Sequence, residues 1–169
     1  KVHRTDLSFK DLHENFDGFT ITQISDIHAV SFDDEIAVAK GIEMINAQRS
    51  DLLLFTGDLI NNHAKEMEPW LDIFKKLHAP LGKYSITGNH DYGDYTEWPS
   101  EEAKTKNFEH LKNVYQQLGF RLLLNENVAI EKNGQSISLA GIENWGSGHF
   151  SKYGDLNKTL QDIEPSAFK

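Results

Sequence analysis

The sequence contains no cysteine. Disulfides, thiolate nucleophiles and cysteine-type zinc sites are thereby excluded, although this absence does not decide the compartment. Lys and Arg never occur more than two in a row, and the net charge is −9. Binding to nucleic acid or to an anionic membrane through charge alone is therefore not expected. No apolar run approaches the roughly 18–20 residues of a membrane span, and no signal peptide is recognisable. Internal repeats, low-complexity tracts and linker-like stretches are also missing. What remains is a chain of 169 residues, 38% hydrophobic and 25% charged. That is long enough for one domain with a sizeable core and too short for two. The chain opens on Lys1-Val2-His3-Arg4 without Met, as a trimmed piece of something longer would.

Residues 1–18 read as a polar N-terminal extension closed by the turn signal Asp17-Gly18. Three strands follow: Phe19 to Ser25, the continuous apolar run Leu52 to Thr56, and Lys83 to Thr87. Between them the apolar spacing predicts two helices, one from the acidic start Asp33-Asp34-Glu35 to about Arg49, one around Glu66 to Leu77. Alternation of strand and helix is the pattern of an α/β layer fold with parallel pairing. Farther on, Ser100 is positioned to cap a helix to Leu118, with Gly119 just past its end. A short strand near Phe120 to Leu124 comes next. A hairpin, Val128 to Glu131 and Gln135 to Ala140, turns on Asn133-Gly134. Asp155 to Ile163 is the last expected helix.

Each of the first three strands ends on polar residues of one chemical kind: Ser25-Asp26-Ile27-His28, Thr56-Gly57-Asp58 and Thr87-Gly88-Asn89-His90-Asp91. In parallel sheets, sites form at the carboxyl ends of strands. While the chain stays extended, Asp26 and His28 leave the same face. Hard oxygen and borderline nitrogen donors without sulfur suit Mn, Fe, Zn, Co or Ni. Two such ions about 3.5–4 Å apart can share a carboxylate and a hydroxide, which attacks in line while the metals clamp phosphoryl oxygens. Asp58, on the middle motif, is the natural bridge. Asn89 adds a neutral ligand, so two divalent ions with Asp26, Asp58 and a hydroxide leave the site net positive and attractive to phosphate. His90 is read as turned toward substrate as general acid, with Asp91 accepting its other ring N–H.

These motifs, in this order and about thirty residues apart, resemble the calcineurin-like metallophosphoesterase superfamily. Its pattern is D-x-H, G-D, G-N-H-[DE], a lone His, then G-H-x-H. The resemblance covers Phe19 to roughly Phe168. It implies a metallophosphoesterase-type αββα sandwich with a dinuclear metal centre, incomplete here at its C-terminus. It also implies that Asp26 and His28 hold the first metal, Asp58 bridges, Asn89 holds the second and His90 is catalytic. The form Ser25-Asp26-Ile27-His28 after an N-terminal extension looks like the bacterial membrane-attached subgroup of phosphohydrolases and lipid-sugar diphosphatases. A phosphorylated small-molecule or lipid-linked substrate and a soluble domain of a membrane-attached parent are the matching expectations. Two features depart from the pattern. Val30 stands where the family often has a small residue, and the last two His motifs are missing. Gly148-His149-Phe150-Ser151 lacks the second His and comes too early to replace them.

Singly, each strand-end motif is an ordinary turn or surface pair; their joint occurrence after apolar strands carries the reading. His3, His13, His63, His78 and His110 have no motif context and are expected on helix surfaces or in solvent. Tyr92, Tyr95, Trp98 and Trp145 either line a substrate cleft or pack their loops down. The leading function is hydrolysis of a phosphate monoester, phosphodiester or diphosphate bond. Four ligand side chains are fewer than two divalent ions coordinate, so residues 1–169 alone are expected to be inactive. The alternative is a degenerate fold of the same family used for binding or scaffolding. A one-metal site using downstream acids is disfavoured, because no second acidic cluster is visible.

Overall fold

The computed structural model describes residues 1–148, 150–164 and 168. Four parallel strands lie side by side in chain order: β1 (Ile21–Ile24), β2 (Leu52–Phe55), β3 (Lys83–Ser85) and β4 (Arg121–Leu122). Ile21 pairs with Leu52, Leu53 with Lys83 and Tyr84 with Arg121. Parallel neighbours need long crossovers. Helix α1 (Glu35–Asn46) makes the first and α3 (Glu101–Gln117) the third. The expected caps close both helices. The Asp34 carboxylate accepts from the amides of Ile36 and Ala37, and the Ser100 hydroxyl accepts from Ala103. Gly119, at φ +76, ends α3 in the left-handed region that favours glycine.

The second crossover differs from expectation. Instead of one helix from Glu66 to Leu77, a 3-10 segment, Ala64–Trp70, leads into a single α turn, α2 (Leu71–Phe74). Pro69 lies inside the 3-10 segment. It has no N–H to donate, and its ring clashes with the carbonyl four residues earlier, so α-helical bonding starts only beyond it. The apolar side survives the change: Met67, Ile73, Phe74 and Leu77 are all buried.

The hairpin is longer than the apolar pattern suggests, with β5 (Glu126–Lys132) and β6 (Gln135–Gly141) pairing antiparallel along their whole length. Asn133 and Gly134 both adopt positive φ, as a tight two-residue hairpin turn requires. Helix α4 (Leu156–Leu160) is shorter than expected, and Asp155 caps it. The N-terminal extension is not wholly solvated. Phe16 is buried and meets Phe19 edge-on at 5.3 Å.

One apolar cluster unites β2 with the helices. Leu53 and Phe55 pack with Ile42, Phe74, Leu111, Val114 and Tyr115. Alternation along a strand sends Leu52 to the opposite face, where it is also buried. This explains why β2 reads as an unbroken apolar run. The rigid layer brings three strand ends to one edge. Phe55 sits between the rings of Tyr115 and Phe120, centroids 6.1 and 6.2 Å away. Phe55→Ala is expected to cost about 3–5 kcal/mol of stability, read as a lowered urea midpoint at unchanged slope.

Candidate metal centre

Backbone geometry assembles the site before any side chain acts. Past β1 the chain does not stay extended, as the i, i+2 reading of Asp26 and His28 assumed. Both residues turn into the left-handed region, at φ 54 and φ 46, and Asp58 does the same at φ 59. The amides of Asp26 and His28 donate to Gly57 O and Asp58 O, each at 3.0 Å. These bonds sew the loop after β1 to the loop after β2. Gly57 and Gly88 allow the next loop equally close. A Cβ on Gly57 would fall onto the Gly88 backbone, and one on Gly88 would strike the Asp58 carboxylate.

The side chains converge accordingly. His28 Nε2 lies 4.0 Å from Asp26 Oδ1 and 4.0 Å from Asp58 Oδ2. His28, Asp58 and His90 each offer a donor atom within 4.8 Å of the others. Asp58 Oδ1 accepts the His90 amide at 2.9 Å, which fixes the carboxylate and leaves Oδ2 toward His28. The rings of His28 and His90 meet edge-on at 4.8 Å. Asp26 is largely exposed, whereas Asp58 is buried. Asn89 joins Asp26 and Asp58 in lining an open cavity of about 390 Å³, whose other wall is Ile142–Trp145. Its Nδ2 donates to the Tyr95 hydroxyl at 2.6 Å.

Ring tautomers follow from the partners. His90 Nδ1 lies 3.0 Å from the Asn61 carbonyl oxygen, which can only accept, so Nδ1 carries a proton. His28 Nδ1 lies 3.1 Å from Asn61 Oδ1, and donation there leaves Nε2 as the bare nitrogen. In the tautomer that donates from Nδ1, His28 Nε2 would aim a lone pair at two carboxylates. Three electron-rich atoms facing one another are mutually repulsive, and a divalent cation is the group all three would bind. The donor set therefore fits the metal chemistry expected of it.

Asp91 occupies a different place from the expected one. Its carboxylate does not touch the His90 ring. It is fully buried and accepts from the amides of Asp58 (3.0 Å), Leu59 (3.0 Å), Gly88 (2.9 Å) and Ile60 (3.4 Å). Asn61 holds the imidazole instead. A one-turn 3-10 helix, His90–Tyr92, accounts for this, since it sends successive side chains in divergent directions. Burial pushes the Asp91 carboxyl up to about 7, with the Asp58 charge adding and the Gly88, Ile60 and Asp58 amides opposing.

Sequence reasoning missed Asn61, Asn62, Glu66 and Asn107. Glu66 accepts the amides of Asn61, Asn62 and His63 at 2.6–3.0 Å, freezing the segment that carries the tautomer-setting groups. Asn107, on α3, bonds Ala64 N and Asn62 O. The one available signal was Glu66 three residues after His63, a capping-box spacing obscured because His is a poor capping residue. The four aromatics divide. Tyr92 is buried, shares a 2.7 Å bond with the Thr87 hydroxyl, donates to Glu143 at 2.9 Å, and stacks between Tyr153 and Phe108. Trp98 pins its own loop by donating to Gly93 O. Trp145 lines the cavity, and Tyr95 lies against the His90 ring at 4.5 Å. Val30 is exposed. His63 is half-buried against Trp98 rather than solvated. His149 lies outside the described residues.

A family model described as calcineurin-like phosphoesterase matches residues 19–166. The chain belongs to this family. Among its relatives is the uncharacterized metallophosphoesterase YkuE of Bacillus subtilis, 32% identical over 149 residues, covering 85% of this chain and 47% of that protein. The UDP-2,3-diacylglucosamine pyrophosphatase LpxG of Chlamydia trachomatis is 38% identical over 88 residues, covering 52% of this chain and 26% of that protein. The crystal structure of phosphopantetheinyl hydrolase (PptH) from Mycobacterium tuberculosis superposes with a TM-score of 0.50 at 16% identity. It covers 73% of this chain and 42% of that one, a likeness of fold alone. The chain spans half or less of the length of the first curated relatives it matches. As a calcineurin-like phosphoesterase it carries a family expectation of divalent metal ions, and the cluster of His28, Asp58 and His90 is consistent with that. Among the described residues no helix is long and apolar enough to cross a membrane.

The buried tie at Asp91 gives the sharpest structural expectation. Asp91→Ala strands four backbone amides, at about 1–3 kcal/mol for each buried donor left unpaired. A loss of at least about 3 kcal/mol is expected in denaturant melts, with faster hydrogen exchange at residues 58–60 and 88.

Proposed function

We propose that residues 1–169 form one metallophosphoesterase unit of a protein that hydrolyses a phosphate monoester, phosphodiester or diphosphate bond with two divalent metal ions. The observation that carries this is the convergence of Asp26, His28 and Asp58 with the His28 Nδ1 already committed to Asn61. Asp26 and His28 would hold the first ion, Asn89 the second, and Asp58 would serve both. When bound, such ions would supply Lewis acidity for activating a water and for neutralising charge on the phosphoryl oxygens. The chain's own residues do the rest. His90 holds its Nδ1–H on Asn61 O, and in the imidazolium form Nε2 carries the second ring proton, which it would give to the leaving oxygen, leaving the neutral ring still bonded to Asn61. Asp91 is a positioning residue that shapes the loops and does not touch the reacting atoms.

The substrate is a phosphorylated small molecule or a lipid-linked phosphate. The open cavity, with Trp145 on the wall opposite Gly88 and Asn89, leaves room for a leaving group beside the strand ends. The name of the LpxG relative, a pyrophosphatase of a diacylated sugar nucleotide, favours the diphosphate and lipid end of that range. A relative from Bos taurus named transmembrane protein with metallophosphoesterase domain, 27% identical over 175 residues, favours a domain of a membrane-attached parent. Asp26, His28, Asp58 and Asn89 fill only part of the coordination of two ions, so these 169 residues alone should turn over little substrate.

The test is metal content and hydrolysis by the full natural protein. Stoichiometric Mn, Fe or Zn, with turnover of an aryl phosphodiester that a chelator abolishes and added metal restores, is expected. A folded protein with neither metal nor turnover overturns the proposal in favour of a binding or scaffold role. His90→Ala is expected to lower kcat about 10²–10⁴-fold on a substrate with a poor leaving group and much less on a nitrophenyl ester. Full turnover on the poor leaving group removes His90 as general acid. Asp58→Asn is expected to lose bound metal, measured by elemental analysis after dialysis.

A further inference from the structure

Asn89 presents an electrostatic problem that its neighbourhood answers. The two ends of a carboxamide are nearly alike in shape and opposite in polarity. Bound to a cation through Oδ1, the group must keep Nδ2 turned away and satisfied elsewhere. The Tyr95 hydroxyl lies 2.6 Å from Nδ2, and a phenol oxygen can accept that proton. With Nδ2 donating to Tyr95, Oδ1 is directed to the other side of the amide.

Tyr95 is half-exposed, and a loop tyrosine in that position has no intrinsic reason to hold one rotamer. Here the loop around it is fixed at several points. The Tyr95 amide donates to Asn62 Oδ1 at 3.2 Å, and Asn62 O accepts from Asn107 on α3 at 2.9 Å. Trp98 donates back to Gly93 O at 2.7 Å, and Asp94 pairs with Lys104 at 2.5 Å. The ring rests against His90, centroids 4.5 Å apart. The hydroxyl is therefore held against the Asn89 amide by a braced segment.

We infer that Tyr95 is a positioning residue of the metal centre: its hydroxyl holds Nδ2 of Asn89 so that Oδ1 is the atom presented to the second divalent ion. The inference rests on Asn89 being a ligand, as proposed above. Groups that orient metal ligands typically change affinity 10–100-fold when removed. A neutral bond at a half-exposed residue belongs at the low end of that range, about tenfold.

The experiment measures Mn²⁺ binding by titration calorimetry on the full natural protein, with Tyr95→Phe, Asn89→Ala and the double variant beside it. Phe keeps the ring against His90 and removes only the oxygen, so a role in packing alone predicts unchanged affinity. Tyr95→Phe is expected to weaken one of two Mn²⁺ sites about tenfold. In the Asn89→Ala background the same substitution is expected to have no further effect, because the amide it acts through is gone. Unchanged affinity in Tyr95→Phe, or equal weakening in both backgrounds, overturns the inference and leaves the phosphoesterase reading standing. Absence of Mn²⁺ binding by the unaltered protein removes that reading, and this one with it.

Discussion

The loops at the carboxyl ends of the parallel strands depend on one buried carboxylate. Asp91 gathers backbone amides from the turn after β2 and from the turn after β3, two segments about thirty residues apart in sequence. Those amides have no strand partner at that point, because the parallel ladder has ended and the loops bend away. Water could satisfy them in an exposed turn but is excluded here. A carboxylate is the one common side chain with acceptor capacity for three or more donors. The cost is a charge in an apolar surrounding, visible in the upward push on its pKa. This tie and the bond from the His90 amide to Asp58 Oδ1 together give the two turns one geometry.

Around that anchor the side chains of the candidate site are held mostly by neutral amides. Asn61 orients both imidazoles, one through its side chain and one through its backbone, while Asn62 and Asn107 brace the neighbouring segment. Neutral holders matter electrostatically. A carboxylate behind each histidine would add negative charge to a site proposed to take phosphate, on a chain of net charge −9. Left-handed backbone at Asp26, His28 and Asp58 is the conformational counterpart. Such residues are sparsely tolerated, and here the cross-loop amide bonds of Asp26 and His28 over-determine them.

How much of this the sequence carried depended on the range of the interaction. Periodicity placed β1 to β3, α1 and α3 within a few residues, and Asn133-Gly134 located the hairpin, because caps, stripes and tight turns are decided by neighbours. The second crossover departs from its apolar stripe because Pro69, which has no N–H to donate, sits inside it. At the site, residue types and spacing pointed to Asp26, His28, Asp58, Asn89 and His90. The bonds that aim them did not show. His90 finds Asn61, twenty-nine positions back, through a carbonyl that every residue possesses. A backbone acceptor leaves no trace in composition, so the natural guess was the adjacent acid, Asp91. Glu66 was equally hidden, reading as one more charge on a helix surface.

The stacked rings of Phe108, Tyr92 and Tyr153, with the bond from Tyr92 to Glu143, bear on how this cavity can behave. One face of the cavity belongs to the parallel sheet, and the other follows the end of the hairpin. Tyr92 is bolted to both, through Thr87 on one side and Glu143 on the other. Separating the walls would mean prising apart stacked aromatic faces and abandoning a buried hydroxyl. The gap between them is thus a gauge of set width, cut by the length of a tyrosine side chain. A molecule entering beside the strand ends must bend to the protein's dimensions.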